Sequence, residues 1–254
     1  MKHTTTIAHL LAVGALAFSM SATAGMAGTK HDLSSTGSGN KFSGTGEICV
    51  FCHTPHGADS TASAPLWNRT LTGSTYTTYD SLGTSSLDGA TAPVGSVSIA
   101  CLSCHDGSQA MDSVLNEPGS GATVTSYNTG TWTGNDKPVG AALIGTDLSN
   151  DHPIGIQYGG GGLTSTTPNG TLKDPDFKVA LNATINGNTI WWVDTDSSGT
   201  RDKADMQLYT RILSGVIQPF VECASCHDPH NNTNGTFLRI SNSGSGVCLA
   251  CHTK

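Results

Sequence analysis

The sequence predicts a mostly irregular fold with few short helices and one β-hairpin, and three observations carry that expectation. Gly accounts for 31 of the 254 residues and charged residues for only 12 %, about half the usual charged share. Leu, Ile, Val and Phe supply just 48 residues, about 19 % and slightly under the level at which a chain struggles to fill a core of its own. The formal net charge is only −7, too small to impose disorder, so something other than side chains is expected to occupy the interior. The third observation is that all eight cysteines fall in four copies of Cys-x-x-Cys-His. These are Cys49 to His53, Cys101 to His105, Cys223 to His227 and Cys248 to His252.

Each copy reads as a covalent c-type haem attachment site. Two thiols one short turn apart can add to the two vinyl groups of a porphyrin, and the next residue offers an imidazole to the iron. Paired cysteines also build zinc sites or disulfides, yet neither needs a histidine after every pair. Four haems and a haem-stacked core are therefore expected, with Cys49, Cys52, Cys101, Cys104, Cys223, Cys226, Cys248 and Cys251 holding the porphyrins.

Residues 1–24 have the form of a secretory signal peptide, with Lys2, an apolar run from Ile7 to Phe18 and a small-residue end at Ala22-Thr23-Ala24,. No later apolar stretch approaches the roughly 18 residues of a membrane span. The expected location is therefore outside the cytoplasm, at the outer surface or beyond it, with the periplasm as the alternative. A pI near 5.7 argues against a nucleic-acid partner.

Histidines match the expected irons in number. Ten are present, and His3 and His9 belong to the leader. Four of the remaining eight are the motif residues His53, His105, His227 and His252, each a proximal iron ligand. The other four, His31, His56, His152 and His230, match the demand for a second imidazole on every iron. Met26, Met111 and Met206 could also serve as sixth ligands, but none has a recognisable ligand context. His56 and His230 each follow a motif histidine by three residues, across Pro55 and Pro229. Two imidazoles so close in a proline-stiffened segment cannot reach opposite faces of one porphyrin, so each must serve another haem.

The order of histidines and motifs repeats, giving a first dihaem unit over 25–120, an insert over 121–220 and a second unit over 221–254 that draws His152 from the insert. The simplest pairing gives His56 to the haem on Cys101 and Cys104, and His230 to the haem on Cys248 and Cys251. His31 and His152 then serve the haems on Cys49/Cys52 and Cys223/Cys226, with their order open to exchange.

The insert is rich in Gly, Ser and Thr as far as Gly162. Ala183 to Val193 reads as a hairpin turning at Asn186-Gly187, with one of Trp191 and Trp192 packed and the other exposed. The next segment fits an EF-hand-like calcium loop. Candidate ligands are Asp194, Asp196, Ser198, the Thr200 carbonyl, Asp202 and Asp205, and Gly199 takes the sharp-turn position. Ala204 to Leu213 reads as a following helix with Met206, Tyr209, Ile212 and Leu213 on one face. The competing reading is an ordinary Asp/Ser/Gly surface turn.

Cys49 to Gly57, with Lys30 to Ser34 upstream and Ala64 to Asn68 downstream, resembles the doubled-motif multihaem cytochromes of metal-reducing bacteria. With four motifs and eight imidazoles the chain looks most like the OmcE-type tetrahaem cytochromes of the outer surface, which polymerise into extracellular filaments. That resemblance implies a homopolymeric conducting filament, exchange with other multihaem cytochromes, and external acceptors such as metal oxides. It also implies that one subunit can lend an axial histidine to its neighbour, with His31 the best-placed residue. Irons closed by two imidazoles leave no position for a substrate, so electron transfer is expected rather than catalysis. A monomeric electron shuttle is the alternative, and a multihaem reductase would need one distal histidine to be idle.

Overall fold

The computed structural model describes residues 25–71, 73–119 and 125–254; the leader expected over 1–24 lies outside them. A short strand β1 (Lys41–Phe42) pairs antiparallel with β2 (Trp132–Thr133). Between them lie α1 (Ser96–His105) and the single turn α2 (Thr125–Asn128). The second half builds a five-stranded antiparallel sheet from β3 (Ile156–Gln157), β4 (Leu181–Ile185), β5 (Asn188–Val193), β6 (Met206–Leu213) and β7 (Val216–Val221). Its strand order is β3-β7-β6-β5-β4. Two short helices close the chain, α3 (Cys223–Cys226) and α4 (Gly246–Cys251).

Both long hairpins turn where the chain can adopt positive φ. Asn186 (φ 49°) and Gly187 (φ 78°) join β4 to β5, and Ser214 (φ 51°) and Gly215 (φ 79°) join β6 to β7. Two successive left-handed residues form the turn whose twist matches paired strands.

The expectation of a mostly irregular chain around a haem-stacked core is corrected by this architecture. Seven strands in two antiparallel sheets dominate the regular structure of the described residues, and side chains gather into apolar clusters of their own. The largest gathers Tyr158, Leu163, Trp191, Val193, Met206 and Leu208 beneath α4, where Ala250 joins it. A second joins Phe42, Val50, Phe51, Met111 and Tyr127 near the first motif. Few apolar residues suffice because both faces of the sheet's centre use them: Trp191 and Trp192 are 1 % and 4 % exposed, so neither tryptophan is the exposed one expected.

The helix expected over Ala204 to Leu213 is also corrected, since Met206–Leu213 is a strand. Its apolar residues fit either period over so short a run. The Ser214-Gly215 turn decides the matter by folding β7 back on β6, with Tyr209 opposite Phe220 and Leu213 opposite Val216.

The sheet delivers the third motif, because β7 runs through Glu222 into α3. Glu222 is 1 % exposed and caps α3 reciprocally with Ser225. Its carboxylate accepts from Ser98 of α1 at 2.5 Å and from Arg211 of β6 at 2.7 Å. Ser98 also accepts from the amide of Cys223 at 2.9 Å. One buried carboxylate thus joins the helix of the second motif, the sheet and the helix of the third.

Candidate haem sites

Local structure puts each pair of thiols on one side of a turn. The second motif ends α1, the third spans α3 and the fourth ends α4, while Cys49–Phe51 form a single 3-10 turn. Residues three apart on such turns are neighbours on one face. In the first, third and fourth motifs the histidine amide donates to the carbonyl of the first cysteine, at 2.8, 3.1 and 2.9 Å. All eight thiols are unbridged.

Six of the eight imidazoles have an oxygen facing Nδ1. His53 Nδ1 lies 2.7 Å from the Pro65 carbonyl, His105 Nδ1 2.7 Å from that of Ala142, and His227 Nδ1 2.9 Å from that of Thr236. His152 Nδ1 sits 3.1 Å from the Pro153 carbonyl and His31 Nδ1 3.4 Å from that of Pro229. His230 Nδ1 faces the Asp228 carboxylate at 3.7 Å. An oxygen acceptor at Nδ1 fixes the proton there and leaves the Nε2 lone pair for a metal. Burial pushes the His31 imidazole down to about 4, so it stays neutral and able to ligate at neutral pH.

Three of the four extra histidines stand beside motif histidines. Ring centres are 6.0 Å apart for His53 and His230, 6.1 Å for His31 and His105, and 6.5 Å for His152 and His252. Two metal–imidazole bonds of about 2 Å each, with about 1 Å from each nitrogen to its ring centre, span about 6 Å. His152 and His252 also line one open cleft, with Tyr158 and Phe177 among its walls. Spacing, lone pairs and paired thiols fit a haem at these places.

These pairs differ from the simplest pairing read along the chain. His230 stands with the first motif, not the fourth; His31 stands with the second and His152 with the fourth. Within the chain, His31 has His105 as its motif-histidine neighbour. His56 is exposed, its backbone carbonyl held by Thr54 and Asn116.

Cysteines of successive motifs lie close enough to influence one another. Burial pushes the Cys52 thiol up to about 12, with Cys104 adding to the effect. Cys101 and Cys223 shift one another in opposite directions, Cys101 up and Cys223 down. Burial likewise raises Cys226, with Cys223 and Cys248 contributing. The attachment points therefore neighbour one another in sequence order, and Cys49 and Cys248, in the first and last motifs, are the exposed cysteines.

Sequence reasoning missed two features around the first motif. Trp67 packs edge-on to His53 with ring centres 6.0 Å apart, and the backbone of Asn68 donates to Cys52 at 2.9 Å. Asn68 and Arg69 are both 0 % exposed. The run Leu66-Trp67-Asn68-Arg69 after a motif was the available signal.

In the calcium-like loop, carboxylate oxygens of Asp194, Asp196 and Asp205 lie within 4.8 Å of one another. Asp194 accepts from the amides of Ser197 and Gly199, both at 2.8 Å, and the Gly199 bond holds its carboxyl below the usual range. Asp205 accepts from Thr195 and Asp202 at 3.1 and 2.8 Å. Ser198 donates to the Thr200 carbonyl at 2.9 Å, so those two candidates meet each other. Asp202 turns instead to the Ala204 amide at 2.7 Å.

The motif chemistry and the ligand-ready histidines define a class, the haem-binding c-type cytochromes, whose work is electron transfer. Residues 218–254 match the doubled CXXCH motif family, and that match covers the third and fourth attachment sites with His230. No curated protein matches the chain. No helix among the described residues is long and apolar enough to cross a membrane.

Proposed function

We propose that the chain carries four c-type haems, each closed by two imidazoles, and conducts electrons over long distance as a subunit of an extracellular filament. The three histidine pairs 6.0 to 6.5 Å apart carry this reading, because each joins a motif histidine to one of the four extra histidines. Elimination assigns His56 to the haem of His227. The two doubled motifs then exchange ligands, His230 serving the first haem and His56 the third.

When bound, the haems supply one-electron redox chemistry at iron. The polypeptide holds their spacing and orients the imidazoles through Nδ1. Fully ligated irons offer no substrate position, so the protein moves electrons and is not an enzyme. Closeness of successive motifs gives a path in sequence order, and exposure of Cys49 and Cys248 puts its ends at the surface. Such ends suit passage to other copies, to other multihaem cytochromes and to external acceptors such as metal oxides. The leader supports export from the cytoplasm, and the filament reading puts the protein at the outer surface. The mass of the mature protein is expected to show four haems, electron paramagnetic resonance to show every ferric iron low spin, and imaging of purified material to show filaments. Fewer haems would defeat the count, and single particles would favour the soluble shuttle.

Calcium is the second cofactor of this reading, held by Asp194, Asp196 and Asp205 as a structural brace at the start of β6. Millimolar calcium is expected to raise the thermal midpoint by several degrees, and Asp194→Asn to abolish that rise. An unchanged midpoint in calorimetry would return the loop to an ordinary turn.

A further inference from the structure

A buried cation links the first two motifs. Arg69 is 0 % exposed; its Nη1 donates to the Met111 carbonyl at 2.9 Å, and its Nη2 to those of Ala110 at 2.8 Å and Ser103 at 3.3 Å. Its Nε is enclosed and meets no acceptor among the described residues. The ion pairs among the described residues are Arg211–Glu222, His230–Asp228 and Lys254–Asp176, so none of those residues supplies Arg69 with a carboxylate. A guanidinium stays charged at any ordinary pH, and enclosing one without a counter-charge is costly.

Its position is specific. Ser103 lies inside the second motif, next to Cys104. The adjacent Asn68 holds the first motif, donating from Nδ2 to the Val50 carbonyl at 2.7 Å and from its amide to Cys52 at 2.9 Å. Arg69 is thus bonded to the second motif through Ser103 and follows directly on the residue that holds the first, so one cation sits between two attachment points. The unpaired Nε is a donor in search of an acceptor, and propionate carboxylates are acceptors that a haem brings.

We propose that Arg69 is the internal counter-charge of the first two haem sites, raising the reduction potentials of the haems on Cys49/Cys52 and Cys101/Cys104. Reduction adds one electron and lowers the charge of the site by one, and a fixed cation in a low-dielectric interior favours that state. Electrons are thereby drawn toward the N-terminal pair. The inference rests on the haem reading above.

Potentiometric titration of Arg69→Gln and Arg69→Lys tests it, after mass and visible spectra have counted the haems in each. The glutamine variant, with four low-spin haems, is expected to show two lowered potentials. At least one should correspond to a tenfold change in electron sharing, about 59 mV for a one-electron couple. The lysine variant keeps the charge and is expected to stay near the parent. Arg69→Met, which fills the space without charge, takes the place of glutamine if that chain is not recovered with haem. Unchanged potentials in a neutral variant, or equal losses in lysine and glutamine, would overturn the proposal. Loss of haem from both neutral variants but not from lysine would also overturn it, placing the charge in haem capture. A parent protein with fewer than four haems would defeat the haem count instead.

Discussion

Replacing His230 by alanine is expected to convert one ferric haem in four from low to high spin, and that haem is the one on Cys49 and Cys52. His230 stands 6.0 Å from His53, with Asp228 behind its Nδ1, an arrangement that fixes the tautomer and strengthens the ligand. Electron paramagnetic resonance of the ferric protein reads the spin change directly. The haem is identified by adding Cys49→Ser and Cys52→Ser, which remove the first attachment. The high-spin signal should then vanish, and its persistence would mean that His230 serves another iron. His56→Ala supplies the complement, with its high-spin haem surviving loss of the first attachment.

Glu222→Ala is expected to be the most damaging substitution outside the motifs, costing about 3–5 kcal/mol, the usual penalty for breaking a buried ion pair. It strands the Arg211 guanidinium, whose side chain is only 16 % exposed, and removes the acceptor of Ser98 and the cap of α3. Burial raises the Glu222 carboxyl above its ordinary value, more than Ser98 and Arg211 lower it. Because its folded value exceeds its unfolded one, the native state holds this proton longer than the unfolded chain. The stability it contributes is full below about pH 4.5 and is lost as pH rises through the native value. Denaturant melts across that range should show the decline in the parent and not in Glu222→Gln. A Glu222→Ala protein as stable as the parent would show that the carboxylate clamps nothing.

The attachment sites were legible because Cys-x-x-Cys-His is a local signal whose spacing is its chemistry. The candidate distal histidines could be counted from the sequence, since eight imidazoles matched four motifs, but their spatial neighbours could not be read there. Pairing depends on which segments the sheet brings together, and His53 meets His230 across most of the chain. The hairpin at Asn186-Gly187 was readable because its turn demands particular residues. The strand at Met206 was not, because Met206, Tyr209, Ile212 and Leu213 satisfy a helical period, and only the following Ser214-Gly215 turn and a partner strand excluded it. Arg69 was invisible for another reason: a lone arginine in a polar run has no local mark of burial.

The crossing of His230 to the first motif also sets a timetable. A chain is made from its N-terminus, so the segment carrying His53 exists long before His230, which stands beside it in the folded protein. At synthesis rates of roughly 5–20 residues per second, the interval is on the order of ten seconds or more. During it, His53 lacks the imidazole that stands beside it in the folded protein, so the surroundings of the first motif are completed only when the last part of the chain has been made.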